Sequence, residues 1–324
     1  MSDPGQQLLE RVRAQLDLDD RSVHLEPRGF LWWGGGLAQR VWADPPRTAG
    51  DLLVARVSWR TDLLRRFRGR PDDLAELSVS LDDLALCAFI RGDAQRQQLQ
   101  LGASLYVTRD ELEWGSRVAG FAASLQAGIA HRIAAELAIL VGAEPDLTTP
   151  PDGQIVASNE KLLALEETVV RPLGDDVSRW GSEELGRLRE RVFERLLKLE
   201  PREQSGVLTA HLPFGEERDP ALLIVESARA HPFLGAGVWS WLLLPPGACE
   251  EPSLDFCLAM NQAESVTFTA AHSLGTWCEH RNQLAYTVFL PNALYGPELL
   301  ERVIVSQALR ARWAEPFLES LIED

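Results

Sequence analysis

Lysine is nearly absent from this 324-residue chain: Lys161 and Lys198 stand beside thirty arginines. With so much Ala, Leu and Gly, that bias points to a GC-rich coding sequence before any functional choice of guanidinium. Cysteine is scarce. Cys87, Cys249, Cys257 and Cys278 form no C-x-x-C pair and lie in or beside apolar runs. That fits free buried thiols in a reducing compartment better than a disulfide framework. No apolar run nears the roughly 20 residues that span a bilayer. Met1-Ser2-Asp3-Pro4-Gly5 has no basic segment leading into an apolar one. Neither a membrane span nor a secretory leader is expected, and the expected location is cytoplasmic. Positive charge is in deficit, with 32 basic against 48 acidic residues and a net charge of −16. A dedicated nucleic-acid binder needs a basic face, so that class is disfavoured.

The peptides that carry catalysis are missing as well. The sequence contains no G-x-x-x-x-G-K-[ST], G-x-S-x-G, H-E-x-x-H or kinase set. Gly34-Gly35-Gly36 lacks the dinucleotide spacing and reads as a bend between strands. His272, Cys278 and His280, with Cys257, are the nearest thing to a metal cluster, but their spacing is irregular. His211 and His231 have no nearby Ser or Cys that reads as an activated nucleophile. The acid pairs Asp72-Asp73, Asp82-Asp83 and Glu216-Glu217 fit helix starts and loops. No catalytic, cofactor or metal site is expected.

What is present is ordinary globular composition, 45% hydrophobic and 25% charged, at a length that suggests two domains. In the first half, Leu8, Leu9, Val12 and Leu16 keep helical spacing behind Ser2 or Asp3 and Pro4. Residues 30–33 and 37–42 read as extended. Residues 52–59 form a strand with Ala55, Val57 and Trp59 on one face. Leu74, Leu77, Leu81, Leu84 and Ala88 make a helical stripe. Residues 99–107 alternate as a strand, and a long helix follows, stopping near Gly142.

Residues 144–181 read as a connector with a short helix around 160–170. The second half repeats the order. A helix starts at Ser182 and carries Leu185, Leu188, Val192, Leu196 and Leu199. Strands follow at 207–212, 222–227 and 238–244, then a helix with Leu254, Leu258 and Phe268. The piece 274–278 is ambiguous, 284–290 is a strand, and a last helix starts at Pro297, which Pro316 should bend or end. Residues 99–105 lie over 284–290 at an offset of 185, as do Arg117-Val118 over Arg302-Val303. Val57-Ser58-Trp59 faces Trp239-Ser240-Trp241.

This order, helix, antiparallel strands, helix, strand and C-terminal helix, resembles the type III secretion chaperone fold and the bacterial YbjN group. The resemblance implies an α+β protein of two tandem chaperone-like domains, each a twisted antiparallel sheet backed by helices. The expected domains are 1–143 and 182–324, joined by 144–181. It also implies a nonenzymatic role, holding or regulating a protein partner. Relatives of this layout are single domains that dimerise, so the two halves are expected to form an internal pseudo-dimer through an apolar interface, leaving the chain mainly monomeric.

Two surfaces stand out. Trp32 and Trp33 must point to opposite faces of a strand, while Trp239 and Trp241 share one; core packing or a protein-binding surface explains them. Arg56, Arg60, Arg65, Arg66, Arg68 and Arg70 form a basic island. It reads either as a solvated loop or as an anion-binding patch at Arg65, Arg66, Arg68 and Arg70. Alternative roles are a regulatory scaffold subunit of a larger bacterial system and a nucleic-acid-associated factor using this island.

Overall fold

In a computed structural model the described residues are 3–18, 23–70, 77, 84–150, 177–214, 219–249 and 252–323. The protein is α+β, with two antiparallel sheets. Helix α1 (Pro4–Leu16) starts because Asp3 caps it: Asp3 Oδ1 accepts from Gly5 N–H at 2.9 Å. Leu8, Leu9, Val12 and Leu16 are buried, as their spacing predicts. Strands β1 (Val23–Glu26), β2 (Gly29–Gly34) and β3 (Leu37–Ala43) follow as a meander. The β2–β3 turn is Gly35-Gly36, at φ +60° and +83°, where side chains are disfavoured. Short β4 (Arg47–Ala49) leads into β5 (Leu52–Arg65). Then come β6 (Ala88–Arg91), β7 (Leu99–Val107), the long helix α2 (Leu112–Leu140) and short β8 (Glu144–Pro145).

The second half has α3 (Ser182–Leu188), continued by wide π turns over Arg189–Leu197. Strands β9 (Arg202–Gln204), β10 (Val207–Leu212), β11 (Ala221–Glu226) and β12 (Gly237–Leu243) precede α4 (Leu254–Val266). Strands β13 (Thr276–His280) and β14 (Gln283–Pro291) lead to α5 (Pro297–Glu323). The first sheet runs β1-β2-β3-β5-β7-β6 and the second β9-β10-β11-β12-β14-β13. In both, the strand that precedes the long last helix of its half lies second from the edge. Strands β7 and β14, the pair matched at offset 185, hold that same place.

Several expectations change. Ala88 opens β6 instead of ending a helix; Leu74 and Leu81 of the proposed stripe, and residues 160–170, lie outside the described residues. Helix α3 does start at Ser182, with Gly181 as its N-cap. In the π turns the wider winding brings Phe193 inside and leaves Leu196 60% exposed, against the α-helical stripe. Phe268 lies beyond the end of α4. Helix α5 runs through Pro316 to Glu323, since the hydrogen bond that proline cannot make belongs to the carbonyl of exposed Arg312.

The matched triplets point in opposite directions. Val57 pairs Leu105 and Trp59 pairs Ala103, on the face covered by α1 and α2. Across the molecule it is Ser240 that faces α5, bonded by Gln307 Nε2 at 3.3 Å, while Trp239 and Trp241 point away. Their rings stack at 5.3 Å.

Both described ends of the connector are tied down. Asp146 N–H donates to Leu63 O at 3.0 Å, and Thr148 N–H to Gly36 O at 2.9 Å, joining them to the first sheet. Arg179 N–H donates to Asn292 Oδ1 at 2.9 Å, next to the second sheet.

All four cysteines are free thiols, Cys87 and Cys257 buried, Cys249 and Cys278 partly open. Burial raises the Cys87 thiol to about 12, and raises Cys257 further still. Native alkylation should therefore modify Cys249 and Cys278 first, with Cys87 and Cys257 reacting only after denaturation. Equal labelling rates by mass spectrometry would contradict this burial.

Candidate functional site at the seam between the sheets

Contact between the halves is made by α4 against β6 and by residues 267–275, the link from α4 to β13, which lies against the first sheet. The surface it meets is the side of β5 and β7 that carries Arg56, Ser58, Arg60, Ser104 and Tyr106. Strand β6 pairs β7 only as far as Gly102, so the β7 edge is open at Ser104. Ser273 fills it: Ser104 N–H donates to Ser273 O at 3.1 Å and Ser273 N–H to Ser104 O at 2.8 Å. One step on, Tyr106 N–H donates to His272 Nδ1 at 3.1 Å. Tyr106 Oη accepts from Thr269 N–H at 3.1 Å, and its ring meets Phe268 edge-on at 4.8 Å. Arg56 donates to Asp44 Oδ2 at 2.6 Å and to Thr267 O at 3.0 Å. The seam is thus more polar than the apolar interface expected.

Behind this link lies a buried charge network. Glu264 and Arg310 are 3% and 1% exposed. Arg310 Nε and Nη2 grip the Glu264 carboxylate, Nη2 at 2.5 Å, in the forked geometry guanidinium favours. Arg310 also donates to His272 O at 2.7 Å and Gln307 Oε1 at 2.9 Å, and lies 3.5 Å over the Tyr286 ring. Glu264 takes further bonds from Ser273 Oγ and Trp277 Nε1, each at 2.9 Å. Burial alone would lower the Arg310 pKa, but the adjacent Glu264 charge reverses this and raises it. Every strong group here is spoken for, so the cluster works as a fixed joint.

The sequence-level sites fall elsewhere. Trp32 and Trp33 do point to opposite faces, Trp32 Nε1 to Gln39 Oε1 at 2.8 Å and Trp33 Nε1 to Thr148 Oγ1 at 3.0 Å. With Trp239 and Trp241 they are buried. Trp239 stacks on His231, and Arg229 sits over the rings of both Trp239 and Trp241.

The arginine island is not one solvated loop. Arg60 and Arg65 lie on β5. Arg60 reaches Ser265 across the seam, Arg65 and Arg66 share Glu144, Arg68 is exposed, and Arg70 is engaged within the chain.

His272 sits in the seam and Cys278 on β13. Among the described residues no group of three His, Cys, Asp or Glu is placed to hold a metal. Among those residues, too, no helix is long and apolar enough to cross a membrane.

Sequence reasoning passed over Glu264 and Arg310. The signal was there for Arg310, a charge on the apolar stripe of the last helix between Val303, Ile304, Ala311 and Ala314. No family model, curated protein or solved structure matches the chain.

Proposed function

We propose that the chain is an internal duplication of a type III secretion chaperone-like, YbjN-like domain, folded as an intramolecular pseudo-dimer that binds protein partners without catalysis in the cytoplasm. One observation carries this reading. Arg117 and Arg302, matched at offset 185, reach across the seam reciprocally. Arg117 Nη2 donates to Leu294 O at 3.2 Å, in the turn before α5; Arg302 pairs with Glu111, in the turn before α2. Two halves that exchange equivalent contacts are what an isologous dimer looks like when one chain contains both copies. The like strand orders support it.

With the tryptophans inside, a partner's natural approach is strand addition at the outer edges, β1 and β9. Arg56, Arg60, Arg65 and Arg66 are engaged within the chain, which favours protein binding over a nucleic-acid role.

The full chain is expected to run as a monomer in light scattering. At equimolar ratio, without nucleotide, it should suppress aggregation of a thermally unfolding client protein. A client that aggregates unchanged in large excess of the chain counts against holding and leaves the scaffold role. A dimeric full chain counts against the internal pairing.

A further inference from the structure

A small cleft opens at the seam, between the exposed-side residues of β5 and β7 and the end of α4. It has room for about one to two water-sized particles. Its lining is lopsided in hydrogen-bonding character. Ser58 and Ser104 face each other across the β5–β7 ladder, each 3% exposed, and neither Oγ has a hydrogen-bond partner among the described residues. Tyr286 Oη accepts from Gly275 N–H at 2.9 Å, so its own O–H adds a third donor. The acceptors nearby are already taken. Glu264 is saturated by Arg310, Ser273 and Trp277, and Asn261 Oδ1 accepts from Trp277 N–H at 2.8 Å.

Charge tilts the same way. Arg60 lines the cleft, and its bonds across the seam go to neutral Ser265, to Oγ at 3.2 Å and to O at 3.4 Å. Desolvation and the neighbouring Arg56 lower its pKa, with Arg40 adding to that and Asp44 and Asp62 opposing. Its guanidinium also lies 5.3 Å from the Trp42 ring centroid, so the partners it has are neutral. Gly102, opposite Arg60, adds no side chain to the cleft, and Ile90 packs over it: a Cβ there would lie 2.5 Å from Ile90 Cδ1.

Buried hydroxyl donors are normally satisfied, and a buried charge is normally compensated. We propose that the seam cleft is a binding site for a monovalent anion of halide size, chloride being the natural occupant, held by Ser58 Oγ, Ser104 Oγ and the Arg60 guanidinium. Phosphate or sulfate is too large for the space. Because both sides of the seam line the cleft, the anion acts as a clip between the halves.

The test uses the full chain at constant ionic strength, exchanging gluconate for chloride or bromide. Anion binding to the folded state alone raises the melting temperature with saturation. A rise of a few degrees is expected in chloride and bromide, with none in gluconate. Ser58→Ala/Ser104→Ala removes hydroxyls that have no partner among the described residues, so it should fold, and it should lose the halide-dependent rise. Arg60→Gln should lose it too. Crystals grown in bromide should show an anomalous peak between Ser58, Ser104 and Arg60. Water alone at that position, or a halide effect that persists in both variants, overturns the proposal.

Discussion

Replacing Glu264 with glutamine is expected to destabilise the chain by about 3–5 kcal/mol, the range for removing one partner of a buried ion pair. Arg310 cannot shed its proton, and at 1% exposure it has no water to turn to. His272 O, Gln307 Oε1 and the Tyr286 ring remain as neutral partners, but none carries the missing charge. Glu264→Gln/Arg310→Met removes both charges together and should recover much of the loss. Urea unfolding of the two single variants and the double variant closes a cycle, and a coupling energy near zero would show that the pair is incidental.

Acid should loosen the molecule between about pH 6.5 and 4. Two buried histidines are held neutral in the fold. Burial, the larger cause in each case, lowers His272 and His231 to about 4. Glu111 raises His272, while Arg302 and Arg310 lower it; Arg132 and Arg229 lower His231. Below 6.5 the unfolded chain takes up protons that the folded chain refuses, so stability falls as pH falls. The effect ends once both states are protonated, below the folded value. Each histidine contributes about 3 kcal/mol over this window, a large share of an ordinary domain's stability. His272→Asn keeps an acceptor for Tyr106 N–H without titrating in this range. Denaturant midpoints from pH 7 to 4.5 should show a shallower slope for this variant than for the parent. Parallel slopes would mean that His272 titrates normally.

Periodicity exposed most of the architecture. Alternation over Leu99–Val107 and over 284–290, and the stripes of α1 and α2, were legible because one face of each meets a core. The triplet Val57-Ser58-Trp59 misled because matching residue types across halves ignores which face each presents; the two sheets settle that through their helices. Leu196 misled because π winding leaves no mark on an apolar stripe. Seam chemistry was largely hidden for a different reason. Ser58 and Ser104 are ordinary surface residue types, and residues 267–275, far along the chain, lie against their face of the first sheet, a contact no local window contains. Arg310 alone left a mark, as a charge on an apolar stripe. The arginine island could be seen as a run of charge, but its dispersal among Asp44, Glu144, Ser265 and Thr267 required the fold.

The Ser104–Ser273 bridge has a consequence for biogenesis. Helix α2 is complete once Leu140 has been made, yet the β7 slot at Ser104 stays open until Ser273 emerges. At ordinary translation speeds that interval is on the order of ten seconds. Throughout it the nascent first half presents an unfinished sheet edge, the kind of template that recruits foreign strands. The ribosome-bound chain is thus most vulnerable to misassembly after its first core has formed and before its last 50 or so residues are made.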